Sequence, residues 1–125
     1  MNMKREYVKS ELLKDHNVLL HITREIANTI RGLDDFIFYE NNDDTINNMF
    51  SNASEVIPKI IYGDYHITHK YFRIDGCGNI ETFPDLNSII YFYIDFIDDI
   101  VDIILDSIEA QKIFIRYYVA YTMNN

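Results

Sequence analysis

The stretch LNSIIYFYIDFIDDIVDIILDSIE, residues 86–109, decides how the rest of the chain is read. Its apolar positions Ile89, Tyr93, Phe96, Ile97, Ile100, Ile103 and Ile104 recur three and four residues apart, the period of a helix with one face to bury. Asp95, Asp98, Asp99, Asp102 and Asp106 follow the same spacing. At about 3.6 residues per turn most of them form a carboxylate row on the side away from the apolar stripe. The expected element is a long helix from Asp85 to Glu109. Like charges three and four apart oppose a helix by roughly 0.2–0.5 kcal/mol per pair, so burial of the apolar face must offset the row. No Lys, Arg or His occurs in the 38 positions from Ile74 to Gln111, so the local sequence does not balance it.

At 125 residues the chain is long enough for one core and too short for two. A hydrophobic content of 48%, with ten Tyr and eight Phe, points to a packed globule and away from a disordered acidic tail. The net charge of −9 is unevenly placed: six basic and four acidic residues up to Arg31, then five basic and sixteen acidic. An acidic body of this kind repels nucleic acid and membrane phosphates and attracts basic surfaces, including those that hold nucleic acid. A single cysteine, Cys77, excludes an internal disulfide and a multi-thiolate zinc site, which fits a reducing, cytoplasmic compartment. The opening MNMKREYVKSELLKDHN lacks the apolar core of a signal peptide. Asp95, Asp98, Asp99 and Asp102 exclude a membrane span over Leu86–Leu105, since each would cost roughly 2.5–3.5 kcal/mol at its centre.

The fold class expected is α+β, mostly helical with a small antiparallel hairpin or three-stranded sheet, in a single domain. Residues 1–32 read as a helical arm. Its apolar positions run from Tyr7 to Ile30, Asp15 or Asn17 is placed to start a second helix, and Gly32 to stop it. Residues 33–84 carry shorter elements. Phe36–Tyr39 reads as a short strand, and Asp43 or Asp44 caps a short helix through Phe50. Ser54 starts another turn or two that accommodates Pro58 near its beginning and ends at Gly63. His69–Asp75 alternates apolar and polar side chains, Gly76-Cys77-Gly78-Asn79 turns the chain, and Ile80–Phe83 returns, which makes a β-hairpin. Residues 85–125 give the acidic helix and then a helical stretch rich in Ile and Tyr. No Gly or Pro separates these two, so the pattern leaves one bent helix open.

Several constellations invite chemistry. Asp98-Asp99-Ile100-Val101-Asp102 spells D-D-x-x-D, a spacing able to hold a divalent cation and a diphosphate, as a small metal-dependent phosphohydrolase requires. No Lys or Arg is near in sequence to take the phosphate, so a solvated or partner-facing acidic row is preferred. His66 and His69, with Asp64 and Asp75, fit no common zinc spacing and read as surface residues. Cys77 lies between two glycines with no base at a definable distance and reads as a turn residue. The sequence therefore gives no catalytic residue, no metal site and no cofactor.

The segment Ile60-Ile61-Tyr62-Gly63-Asp64-Tyr65, followed by Tyr71-Phe72-Arg73-Ile74-Asp75-Gly76-Cys77-Gly78-Asn79-Ile80-Glu81-Thr82-Phe83, resembles a pattern in small acidic proteins of phages and other bacterial mobile elements. That pattern is a short helix, G-D-Y or G-D-F, a gap, an aromatic strand, G-x-G-N-[IL] and a second strand. The resemblance covers about a third of the chain. It implies action inside a bacterial host cell against a defence system, such as restriction or CRISPR. Cys77 stands where the pattern has an aromatic, and His66 and His69 where Asn and Asp are commoner.

Together, acidic face and resemblance lead to an expected function: a non-catalytic anti-CRISPR-type inhibitor that binds a basic groove of an effector nuclease and excludes nucleic acid. Asp95, Asp98, Asp99, Asp102 and Asp106 would carry the contact, with Asp34, Asp35, Asp43 and Asp44 as a second acidic edge. Duplex DNA carries a phosphate about every 3.4 Å per strand, and one or two carboxylates per helical turn of about 5.4 Å offer a comparable line of charge. An alternative is an antitoxin or adaptor that dimerises or docks through Ile115, Tyr117, Tyr118 and Tyr121 of the last helix.

Overall fold

The computed structural model describes residues 4–42, 69–75 and 77–124, the last five by backbone alone. The helices expected after Asp43 and Ser54, the acids Asp43 and Asp44, His66 and the side chain of Tyr121 lie outside the described residues. The fold is mostly helical with a small three-stranded antiparallel sheet, an α+β arrangement as the sequence indicates. It comprises two compact units, one of Met1–Leu33 with Ile89–Asn125 and one of Asp34–Ser88.

In the first unit α1 spans Arg5–Lys14 and α2 spans His16–Thr29. Asp15, extended between them, caps α2: its Oδ1 accepts from the N–H groups of Asn17 at 2.9 Å and Val18 at 3.3 Å. Past Ile30 the chain turns at Gly32, whose φ of 91° lies in the left-handed region that a residue with a Cβ avoids.

The expected long acidic helix is two helices, α3 over Leu86–Asp95 and α4 over Ile97–Asp106, and the helical stretch expected after it is a separate helix, α5, over Ile108–Asn124. Phe96 makes the first break. Its N–H is shared between the carbonyls of Phe92 and Tyr93, both at 3.2 Å, and its backbone leaves the helical region. Ser107 makes the second break, extended at φ −125° and ψ 122°. Its Oγ accepts from Ala110 N–H at 3.2 Å, its carbonyl accepts from Gln111 N–H at 3.0 Å, and the Gln111 amide donates to the Leu105 carbonyl at 2.9 Å. A serine able to cap a new helix ends the old one without Gly or Pro.

The core of this unit joins Val8 and Leu12 of α1, Leu19, Leu20, Ile22 and Ile26 of α2, Ile89 and Tyr93 of α3, Ile97, Ile100, Val101 and Ile104 of α4, and Ala110, Ile113 and Phe114 of α5. The expected stripe differs at two positions: Phe96 is 41% exposed at the break and Ile103 is half-buried, while Val101, absent from the expected stripe, is fully buried.

The second unit carries the sheet, in the order β1-β2-β3, with β1 at Tyr39–Glu40, β2 at Tyr71–Ile74 and β3 at Ile80–Phe83. The hairpin pairs Tyr71 with Phe83 and Ile74 with Ile80, and β1 pairs Tyr39 with Phe72. Asp75 organises the turn, accepting from the N–H groups of Cys77 at 2.9 Å and Asn79 at 2.8 Å, and Gly78 takes a φ of 84°. The strand expected over Phe36–Tyr39 is shorter. Asp34–Phe36 forms a 3-10 turn first, and Phe38 packs edge-on against Phe83 with centroids 4.8 Å apart. Asp85 accepts from Ser88 N–H at 2.9 Å, as a residue placed to start α3 should.

Candidate functional site: the acidic face of α4

Successive helical residues lie about 100° apart, so Ile97, Ile100, Val101 and Ile104 share one sector of α4. Asp98 and Asp102 then run from one flank of that buried sector toward the side opposite it, where Asp106 and Asp99 lie. All four are exposed, as is Asp95 at the end of α3. The row has two parts with different surroundings.

The flank is covered by cations. Arg5 Nη1 is paired with Asp102 Oδ1, while Arg5 Nη2 lies 3.4 Å from Asp98 Oδ1 and donates to the Asp98 carbonyl at 3.2 Å. Lys9 Nζ donates to Asp98 Oδ1 at 3.1 Å. Arg5 and Lys9 are four residues apart on α1, as Asp98 and Asp102 are on α4, and the pairing of Arg5 with Asp102 and Lys9 with Asp98 sets the helices antiparallel. Lys9 first, then Arg5, holds the Asp98 carboxyl below its usual range. The hydrogen bond to Asp102 raises Arg5. Asp98 and Asp102 side chains still keep 63% and 55% of their exposure, so these pairs are surface contacts of modest strength.

Asp95, Asp99 and Asp106 have no ion pair among the described residues. They are the free part of the row. The bases that balance the other part come from α1, about ninety residues away in sequence. Arg5 and Lys9 carried a visible signal in their four-residue spacing, but only the folded chain assigns them to α4.

Asp34 and Asp35 are exposed and belong to the second unit, where Arg73 lies 3.9 Å from Asp35 and donates to Glu81 at 2.9 Å. Of the aromatic positions expected to contact a second chain, Tyr117 bonds with Glu25, which also pairs with Arg116. Those two partners, Arg116 first, hold Glu25 below its usual range. Tyr118 packs edge-on against Tyr7 at 5.9 Å, and its hydrogen bond together with burial pushes the Tyr7 hydroxyl up to about 12. Both tyrosines therefore make contacts within their own unit, and Ile115 is half-buried.

Among the described residues no three His, Cys, Asp or Glu side chains converge on a metal-holding position. Within D-D-x-x-D, Asp98 and Asp102 pair with Arg5 and Lys9, while Asp99 makes no ion pair among the described residues. A cleft lined by Glu11, Lys14, Val18, Ile22, Phe114 and Tyr118 has a volume of about 10 Å³, room for a single water. An open groove of about 320 Å³ in the second unit is bordered by Lys70, Tyr71 and Pro84–Asn87. Cys77 is exposed at the hairpin tip. No described helix is long and apolar enough to cross a membrane. Compared with known proteins, the chain matches no family model, no curated protein and no solved structure.

Proposed function

We propose that this chain is a non-catalytic inhibitor of the anti-defence type, an anti-CRISPR that lays its acidic face into the basic nucleic-acid groove of an effector nuclease. One observation carries the reading: Asp95, Asp99 and Asp106 stand exposed without a cation among the described residues, beside Asp98 and Asp102, which remain more than half exposed though paired. Carboxylates so arranged complement a row of Lys and Arg that otherwise grips phosphates. The hairpin motif, with its likeness to small phage proteins, supplies the host-defence setting, and its bacterial cytoplasm is where such an effector works.

The ion pairs decide which residues to change. Reversing Asp98 or Asp102 would place a cation against Arg5 and Lys9 and loosen α1, so loss of activity would be ambiguous. Reversing Asp95, Asp99 and Asp106 to Lys leaves those contacts in place. In a target-DNA cleavage assay run against a panel of CRISPR effectors, the natural chain should block one class of effector. The triple variant, with an unchanged circular dichroism spectrum, should not. Full inhibition by the folded triple variant overturns the proposal.

A further inference from the structure

The outer face of α5 carries a pattern that neither the core nor the acidic row uses. Ile108 is 71% exposed, the most open large apolar side chain among the described residues, and Val119 is 45% exposed. Ile108, Lys112, Ile115 and Val119 are spaced four, three and four residues apart, the seam of a two-helix coiled coil, with one lysine inside it. Glu109 and Arg116, both exposed, flank the seam on one side seven residues apart, only about 20° from each other around the helix. The other flank offers Gln111 and Tyr118, neither of them an acidic or basic residue.

We infer that α5 docks antiparallel on α5 of a second copy of this chain, with Glu109 of each copy facing Arg116 of the other. A two-fold axis near Lys112 brings residue 109 of one helix level with residue 116 of its partner and keeps both on the same side of the seam. Two opposite-charge pairs form at once. A parallel pair sets the Glu109–Arg116 flank against the uncharged one and gains neither, so the charge pattern selects the antiparallel copy. Arg116 already pairs with Glu25 in its own chain, but it is 62% exposed there, and its five donors serve two carboxylates. Lys112 of both copies meets at the axis. A lone lysine in a seam weakens association while fixing register. The helix is about 25 Å long and its seam has three apolar residues, so the buried area falls below the roughly 800 Å² per partner of a standard interface. The dimer is weak and concentration-dependent.

Sedimentation velocity at low salt tests this. The natural chain should rise from one chain mass toward two over a roughly hundredfold increase in concentration. E109R and R116E each set like charges opposite one another and should raise the midpoint at least about tenfold. Mixed in equal parts the two variants present opposite charges at both contacts and should associate as the natural chain does. I108E, a change at an open position, should remain monomeric with an unchanged dichroism spectrum. A natural chain that stays monomeric throughout, an I108E that associates normally, or a mixture no stronger than either variant alone overturns the inference.

Discussion

Replacing Ile104 by alanine tests how α4 is rotated about its axis, and so which carboxylates face outward. Ile104 is fully buried, and the change removes three carbons. At about 0.8 kcal/mol per buried methylene the transfer loss is roughly 2.4 kcal/mol, and incomplete collapse of the space left behind adds up to about 1.5. A loss of about 3 kcal/mol is a large share of the roughly 5–15 kcal/mol that holds a domain together. With an unfolding entropy near 2.1 cal/mol/K per residue over 125 residues, the melting temperature should fall by roughly 10–12 °C. Ile103 is the internal control, being adjacent in sequence and half-buried, so its alanine variant should lose no more than about half as much. Asp99→Ala, opposite the buried sector, should stay within about 0.5 kcal/mol of the natural chain. Urea unfolding followed by circular dichroism gives all three. An Ile103 variant that loses as much as the Ile104 variant, or a comparable loss at Asp99, would refute the rotation and with it the division of the acidic row.

Two further outcomes follow from local contacts. Asp15→Ala removes the acceptor for Asn17 and Val18 N–H at the start of α2 and should cost about 1 kcal/mol in urea unfolding, whereas Asp15→Asn should retain most of it. Stability should also fall at both ends of the pH scale. Asp98, Glu25, Asp75 and Asp85 are held below their usual range, by Lys9, by Arg116, by Asn79 N–H and by Ser88 N–H respectively, so the folded chain binds fewer protons than the unfolded one in acid. Their contribution is complete above the ordinary carboxylate range, about 3.9–4.3, and is lost as pH falls through the folded values. Tyr7, raised to about 12, contributes in the opposite sense: its share is complete below the ordinary tyrosine value near 10 and is lost as pH rises through about 12. Melting curves from pH 3 to 11 should be flat through neutrality and fall at each end, and an acid limb that stays flat contradicts these contacts.

What the sequence discloses and what it hides divide along physical lines. Local chemistry is legible: Asp15 as a cap, Gly32 after α2, the Gly-rich turn between β2 and β3, and Asp85 before α3 all act within a few residues of themselves. The buried sector of α4 is legible because helical period alone places it, and Val101, four residues after Ile97 and three before Ile104, fits that period although the expected stripe omits it. The breaks at Phe96 and Ser107 are harder. Neither residue is a helix breaker by type, and Ser107 interrupts the chain only because its hydroxyl and carbonyl are recruited to start α5. The pairing of Arg5 and Lys9 with Asp98 and Asp102 is the least legible, since it depends on packing α1 antiparallel to α4. That contact changes the meaning of the row: two of the three carboxylates of D-D-x-x-D, Asp98 and Asp102, are already engaged, whereas Asp95, Asp99 and Asp106 have no ion pair among the described residues.

The central proposal, an acidic face that replaces nucleic acid in a basic groove, is tested most directly by competition. A fluorescently labelled chain is bound to the effector it inhibits, and its anisotropy is followed as guide RNA is titrated in at several salt concentrations. Mutually exclusive binding is expected, with an affinity that falls steeply as salt rises and is lost in the Asp95, Asp99 and Asp106 triple reversal. A complex that holds both the chain and the RNA, or an affinity indifferent to salt and to the reversal, would contradict it.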